Sequence, residues 1–264
     1  MELGPDVIAI LCAVAVAAGF VDAIAGGGGL LTVPALLAAG LPPVAAIATN
    51  KVQSCCGTAA ATFNFWRAGR IDFNLLRWPL LGSFLGSAIG GLLLTIADPA
   101  FLALVLPLLL VAVAAYFLFG PRASDEDIRA RLTPAAFALV AAGVGFYDGF
   151  FGPGAGSFFA LGLVTLMGMG LTRATAHTKA LNFTSNIVSV VIFGLGGHVV
   201  WGLGLMMAVG QVAGGWLGSH TAMRFGPRVI RPLLVIVCLA MVAKLLSDPA
   251  NPLRAALAAR FAGA

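Results

Sequence analysis

Long apolar runs, broken by glycine, proline and a few charges, dominate this chain of 264 residues. They are too long and too continuously apolar to alternate as the strands of a membrane barrel do. In lipid the backbone must satisfy its own hydrogen bonds, so we expect an all-α polytopic membrane protein. The runs predict ten helical segments, near 6–25, 29–39, 43–65, 76–97, 100–119, 134–151, 157–168, 172–194, 200–222 and 229–246.

The composition excludes the main alternatives. Hydrophobic residues make up 60% of the chain and charged residues only 9%, against about 25% charged residues in an ordinary soluble domain. A soluble enzyme could not cover its surface with so few charges, and a disordered chain would contain fewer apolar residues. No hydrolase motif surrounds Ser157 or His177, and the Gly-Lys-Ser/Thr ending of a phosphate-binding loop is missing. We therefore expect no enzyme, no cofactor and no metal.

The net charge of +5 has to be read loop by loop as a topology signal, and we expect no nucleic-acid partner. The amino terminus has no basic segment ahead of its apolar run, so we interpret that run as a first membrane span and not as a signal peptide. The cysteines lie inside apolar runs without metal-ligand spacing, and we expect small core residues without disulfides at Cys12, Cys55, Cys56 and Cys238.

The two halves of the chain resemble each other in sequence. The motif that ends in Asp22 is Gly-Phe-Val-Asp, and Gly-Phe-Tyr-Asp, ending in Asp148, follows it at an offset of 126. After a two-residue slip the offset is 128, and it relates Gly26, Gly28, Lys51, Gly82, Gly86 and Gly90 to Gly154, Gly156, Lys179, Gly210, Gly214 and Gly218. We expect one transmembrane domain over 1–264, made of repeat one (about 6–119), a cytoplasmic hinge (about 120–133), repeat two (about 134–247) and a C-terminal tail (248–264).

The arginines of equivalent loops indicate that one repeat is inverted. Arginines follow the third run in half one but not in half two, and they follow the fourth run in half two but not in half one. Under the positive-inside rule this swap requires an odd number of crossings per half. Five crossings per half place both termini outside the inner membrane and all three arginine clusters in the cytoplasm, at 67–77, 122–131 and 224–231.

Two of the ten segments are short, and the number of crossings depends on them. Runs 29–39 and 157–168 rise only about 18 Å as helices, against a hydrocarbon core of about 30 Å. We expect broken helices there. Whether they cross the membrane or re-enter it remains open.

Short segments interrupted by glycine at matching positions of inverted repeats point to a secondary transporter with a binding site near the midplane. Glycine lets the backbone approach a ligand closely, and a helix start aims free N–H groups at an anion. We predict substrate contacts from Gly26, Gly27, Gly28, Gly29, Gly154, Gly156 and Ser157. The alternative is close helix packing, which we expect for Gly82, Gly86, Gly90 and their counterparts.

Lys51 and Lys179 are the sharper feature, because a cation deep in a membrane is costly enough to indicate function. Polar neighbours complete the pattern of an anion site, and we predict substrate contacts from Thr49, Asn50, Gln53, Thr178 and Asn182. The alternatives are that the lysines lie near an interface or form structural salt bridges with Asp22 and Asp148.

Asp22 and Asp148 form the matching acidic pair, each just before a glycine cluster. They are candidates to pair with the lysines, to hold the broken helices or to carry a coupling proton, and the sequence does not choose among these roles. His177 is a further candidate for a proton relay.

Taken together, these motifs resemble the sulfite exporter TauE/SafE family, also called toluene sulfonate uptake permeases. The resemblance covers about residues 6–246 and includes the twin glycine clusters, Thr49-Asn50-Lys51 and Lys179. It implies a carrier for sulfite, a sulfonate or another sulfur-containing or organic anion in the bacterial or archaeal inner membrane, or in a plant plasma membrane. Pro153 and Ala155 stand where half one has Ala25 and Gly27, so the half-sites need not be equivalent.

We expect alternating access around the two lysines and the glycine clusters. The expected partners are a small anion, the lipid bilayer and a coupling proton or cation, and a homodimer is left open. The alternatives are a passive anion channel and a membrane scaffold without transport of its own.

Overall fold

The computed structural model describes residues 4–95 and 125–247. Within these ranges every regular element is an α-helix, which confirms the all-α prediction. The described helices are α1 (Pro5–Ala25), α2 (Gly29–Ala38), α3 (Pro43–Arg67), α4 (Phe73–Leu94), α5 (Pro134–Phe150), α6 (Ala155–Thr165), α7 (Leu171–Leu195), α8 (Trp201–Phe225) and α9 (Pro227–Ser247). The predicted segment 100–119, residues 120–124 of the hinge and the tail 248–264 lie outside the described residues.

Local chemistry accounts for several helix ends. Proline, whose fixed φ suits the first turn of a helix, starts α1, α3, α5 and α9. The side chains of Asp72 and Thr133 cap α4 and α5 by accepting hydrogen bonds from backbone N–H groups in the first turn. Gly26 ends α1 in the left-handed conformation, with φ 74°.

The short helices begin within the glycine clusters, at Gly29 as predicted and at Ala155, two residues before the predicted start, and then turn back. In α2, Leu36 packs in one cluster with Leu11 and Ala15 of α1. In α6, Gly162 lies against the ring of Phe137 near the start of α5. Each short helix therefore returns along its predecessor, and the two form a helical hairpin. A re-entrant hairpin and a pair of crossing helices both have this antiparallel arrangement, so the expected five crossings per half remain a prediction.

The tips of the two hairpins meet. A methyl group on Gly26 would overlap the backbone of Gly156, so these two residues are in direct backbone contact. The Ser157 hydroxyl donates to the carbonyl oxygen of Ala25 at 2.9 Å. The two turns that interrupt the hairpins therefore form one junction between the halves.

Packing between the halves occurs twice, with the partners exchanged. In α4, Gly82, Gly86 and Gly90 lie against the α5 backbone, and in α8, Gly210, Gly214 and Gly218 lie against the α1 backbone. A Cβ at any of these six positions would overlap the neighbouring helix, which confirms the packing role of these glycines. Inversion of one half in the membrane remains a prediction.

Arginines collect at one end of the molecule, here called the arginine end. Helices α3 and α8 run in the same direction, because Gly57 contacts Gln211 and Asn64 donates to the Ser219 hydroxyl at 2.9 Å. Their last turns carry Arg67 and Arg224.

The loop 125–133 and the start of α7 lie at the same end. The Asp125 carboxylate accepts the N–H of Thr172 at 2.9 Å, and the N–H of Asp72, just before α4, donates to His177 at 3.2 Å. The described members of all three arginine clusters are thus at one end. The far end, as we call the opposite one, contains the end of α4 and the loop 196–200, where Leu94 packs with Val199.

The exterior suits lipid. Leu139, Leu195 and Val209 are 80%, 87% and 74% exposed, which is unfavourable in water. At the arginine end, Arg67, Arg77 and Arg224 stack on the rings of Phe63, Trp78 and Phe225, a pairing typical of a membrane interface. Three described helices are long and apolar enough to cross a membrane, namely α1, α4 and α7.

Candidate functional site

A small polar cavity lies where the hairpin tips meet. Its volume of about 20 Å³ is enough for about one water molecule. The lining residues come from both halves and are almost all polar or glycine: Asp22, Gly26, Gly29, Asn50, Lys51, Ser54, Asp148, Gly152, Gly154, Ala155, Gly156, Asn182 and Asn186.

Lys51 reaches across the junction to the second half. Its Nζ donates to Asp148 Oδ1 at 2.6 Å, to the Asp148 carbonyl oxygen at 2.5 Å and to Asn186 Oδ1 at 3.2 Å. An ammonium group has three protons to donate, so these acceptors use all of them. The second Asp148 carboxylate oxygen accepts from the Ser185 hydroxyl. The Lys51 and Asp148 side chains are 1% and 5% exposed, which makes this a closed, buried pair.

Lys179 makes the reciprocal contact with the first half, but more loosely. Its Nζ donates to the Asp22 carbonyl oxygen and lies 3.6 Å from Asp22 Oδ2. That separation is an ion pair but too long for a hydrogen bond. The other carboxylate oxygen accepts the N–H of Gly28 at 3.3 Å. Lys179 is 1% exposed and the Asp22 side chain 14%, so Asp22 is the more accessible of the two aspartates.

The four charges cancel. Burying an isolated ammonium or carboxylate is costly, and pairing compensates the cost only when the remaining donors and acceptors are also satisfied. Among the alternatives drawn from the sequence, pairing of the lysines with Asp22 and Asp148 describes this geometry. The pairs are crossed, because each lysine uses the aspartate of the other half.

Several predicted site residues line the cavity, namely Lys51, Asn50, Asn182, Gly26, Gly29, Gly154, Gly156, Asp22 and Asp148. Lys179 does not line it but is bound to Asp22, which does. Asn182 has a buried side-chain oxygen without a hydrogen-bond partner. An amide oxygen accepts hydrogen bonds, so its partner in an enlarged cavity has to be a donor, such as a water molecule that accompanies the ligand.

The other predicted residues do not line the cavity. Gly27 packs on Val237, Gly28 on Asp22, and Ser157 on the carbonyl of Ala25. Gln53 and Thr178 are buried, and each has a side-chain oxygen without a hydrogen-bond partner. Thr49 is at the far end, where its hydroxyl accepts the N–H of Val200, and His177 is at the arginine end.

Asn186 and Ser185, which the sequence analysis did not select, hold the Lys51–Asp148 pair. Helical spacing could have identified Asn186, because Lys179, Asn182 and Asn186 follow one another at i, i+3 and i+7 on one face of α7. For Ser185 we find no comparable sequence signal.

Comparison with known proteins identifies a family. The family described as "Sulfite exporter TauE/SafE" matches residues 11–245. The chain is 46% identical over 254 residues to "Probable membrane transporter protein ORF9" of Sinorhizobium sp, covering 96% of this chain and 97% of the relative.

Two further relatives have similar identity. "Probable membrane transporter protein YfcA" of Escherichia coli strain K12 is 47% identical over 247 residues, 93% of this chain and 92% of the relative. A "Probable membrane transporter protein" of Haemophilus influenzae is 45% identical over 249 residues, 94% and 98% of the two chains. No solved structure matches the chain. An apolar exterior and full-length likeness to membrane transporters show that this integral membrane protein belongs to the sulfite exporter TauE/SafE family of transporters.

Proposed function

We propose that this protein is a secondary transporter that moves a small anion across the inner membrane by alternating access. Sulfite, a sulfonate or another sulfur-containing or organic anion is the substrate class. The observation that supports this best is the crossed Lys–Asp pairing at the hairpin junction, where each half supplies a cation to the other. Oxyanions favour charge-assisted donors and backbone N–H groups, and both are present here.

The cavity has to enlarge before it holds such a substrate. About 20 Å³ accommodates about one water molecule, and a sulfur oxyanion has at least four non-hydrogen atoms. Because the cavity walls come from both halves, movement of one half relative to the other enlarges the cavity and opens it toward one side. This agrees with a carrier that alternates between two closed ends.

The Lys179–Asp22 pair is the exchangeable one. The Asp22 carboxylate is held by one weak backbone hydrogen bond and an ion pair of 3.6 Å. The Asp148 carboxylate, in contrast, accepts hydrogen bonds from Lys51 at 2.6 Å and from the Ser185 hydroxyl. In our proposal the anion takes the place of the Asp22 carboxylate beside Lys179. Lys51 and Asp148 hold the halves together meanwhile, and Lys51 also faces the substrate.

Charge balance then requires a proton. The empty site carries two positive and two negative charges, so one added anion leaves it net negative in a medium where an unpaired charge is costly. Protonation of Asp22 restores neutrality. The proposed cycle is therefore symport of one monovalent anion with one proton, and the arginine end faces the cytoplasm under the positive-inside rule.

Flux measurements on the purified protein in liposomes test this function. We expect saturable uptake of radiolabelled sulfite or a sulfonate, counterflow against unlabelled anion, and acceleration by a pH gradient that is acidic on the side of uptake. Unitary currents would instead identify a channel, and the absence of both flux and current would identify a scaffold. Either result contradicts the carrier.

A matched variant ties the flux to the site. Lys179→Met should abolish flux, whereas Lys244→Met, at the third lysine of the sequence, should leave it unchanged. Equal flux in both variants would exclude the Lys179 site.

A further inference from the structure

Two hydrogen bonds at opposite ends of the molecule join the halves in the same way. At the arginine end, the N–H of Asp72 donates to His177 Nε2 at 3.2 Å. At the far end, the N–H of Val200 donates to Thr49 Oγ1 at 3.1 Å. An offset of 128 relates Asp72 to Val200 and Thr49 to His177.

Both contacts have the same structural role. Thr49 and His177 are each the seventh residue of a 25-residue helix, α3 and α7 respectively. Each holds the loop that follows the corresponding long helix of the other half, since Val200 follows α7 and Asp72 follows α3. An opening at either end that separates the halves has to break the contact at that end.

We propose that these two contacts are the gates of the transport cycle, and that protonation opens the arginine-end gate alone. This inference rests on the proposed alternating access. It assigns His177 a role at a gate and not beside the substrate, and it assigns Thr49 the matching role at the far end. Both act as positioning residues.

The difference between the gates follows from side-chain chemistry. His177 Nδ1 lies 2.8 Å from the carbonyl oxygen of Arg173, which places the ring proton on Nδ1 and leaves Nε2 as the acceptor. A protonated imidazole carries hydrogen on both nitrogens and accepts nothing, so the Asp72 N–H loses its partner. A threonine hydroxyl keeps its lone pairs at any physiological pH. The hydrogen bond at the far-end gate therefore does not depend on pH.

Three charged groups face His177. They are Arg173 on its own helix, Asp72 from the loop after α3, and Asp127 from the loop 125–133. Partial burial raises the pKa of the Asp127 carboxyl, but hydrogen bonds from the Gly170 N–H and from Arg173 outweigh it and lower the pKa below its usual range. The Asp72 carboxylate caps α4. Histidine is the side chain whose unperturbed pKa lies between pH 5 and 8.

Hydrogen–deuterium exchange of the intact protein tests the gates directly. The readouts are the protection factors of the Asp72 and Val200 amides, corrected for intrinsic exchange, in peptides spanning 70–76 and 198–204. From pH 8 to pH 5 we expect the protection factor of the Asp72 amide to fall by about five- to tenfold. This is the change expected when one hydrogen bond of ordinary strength is lost. Protection of Val200 should stay constant.

Two variants make the test reciprocal. In His177→Gln a side-chain oxygen still accepts, so protection of Asp72 should no longer depend on pH. In Thr49→His the far end gains a titratable acceptor, and protection of Val200 should then fall on acidification. The proposal is wrong if protection of the Asp72 amide does not depend on pH in the wild type, or if it still depends on pH in His177→Gln. Because no substrate is present, a failure of transport itself would show only in the liposome assay.

Discussion

The two lysine–aspartate pairs occupy equivalent positions in the two halves, yet they differ in strength. Lys51 lies 2.6 Å from its partner carboxylate and has three acceptors, whereas Lys179 lies 3.6 Å from its partner. One pair closes the junction and the other is loose enough to exchange its counter-charge. Equivalent residues of the two repeats can therefore form related contacts that have different functions.

The cause of the difference lies in two neighbouring residues of α7. Ser185 donates to Asp148, and Asn186 accepts from Lys51. At an offset of 128 their counterparts in α3 are Gly57, which has no side chain, and Thr58, whose hydroxyl bonds to its own helix at the Ser54 carbonyl. The Lys179–Asp22 pair therefore lacks both supports.

Removal of the tight pair should have the largest effect. Lys51→Met leaves Asp148 buried without its counter-ion, which typically destabilises a protein by about 3–5 kcal/mol. We expect the thermal midpoint in detergent to fall strongly and transport to be lost with it. The double variant Lys51→Met/Asp148→Asn removes both charges and should recover most of the thermal stability. If Lys51→Met alone melts like the wild type, the tight pair is not what holds the junction.

Removal of the loose pair should abolish transport at a smaller structural penalty. Lys179→Met leaves Asp22 without a cation, but that carboxylate is partly exposed and keeps the Gly28 N–H. We expect a loss of stability of about 1–3 kcal/mol and a loss of anion uptake of about 100-fold or more. Thermal melts and liposome flux measured on one preparation check both values. A midpoint lower than that of Lys51→Met would reverse the assignment of the two pairs.

Asp22→Asn should separate transport from its driving force. The amide imitates a protonated carboxyl, so the anion site forms without taking up a proton. In the wild type, anion affinity should fall as pH rises, because binding takes up a proton, while in Asp22→Asn it should be flat. Counterflow should persist and accumulation driven by a pH gradient should disappear. Gradient-driven accumulation in this variant would place the coupling proton elsewhere.

Much of the fold could be predicted from local pattern. Apolar runs that begin after proline or glycine correspond closely to α3 and α7, and the shared offset identified Lys51 and Lys179 as a related pair. The charge pattern placed the arginine clusters together, which the described residues confirm. These features depend on composition and spacing, and a sequence displays both directly.

Other features depend on where helices and side chains point in three dimensions. The spacing of residues in the sequence does not determine this. Helix α1 has 21 residues, enough to rise about 30 Å, but its length does not reveal that its end contacts the other half at the hairpin junction. Thr49 and His177 are polar neighbours of the lysines in sequence, but they point to opposite ends of the molecule. Which lysine pairs with which aspartate depends on packing between the halves.

The smallest expected effect comes from variants of Ser185 and Asn186. They test whether these two residues account for the difference between the two lysine–aspartate pairs. Ser185→Gly and Asn186→Thr each introduce the residue found at the equivalent position of half one. Each removes one hydrogen bond to a charged group, worth about 1.5–3 kcal/mol, but leaves both charges in place. We expect lower thermal midpoints than wild type, above that of Lys51→Met, and retained flux, because the exchangeable pair is untouched. Thr58→Val is the matched control, since its hydroxyl supports neither pair and its loss should change flux and midpoint little. If the Thr58 variant loses as much stability as Asn186→Thr, the difference between the pairs arises from their burial and not from these neighbours.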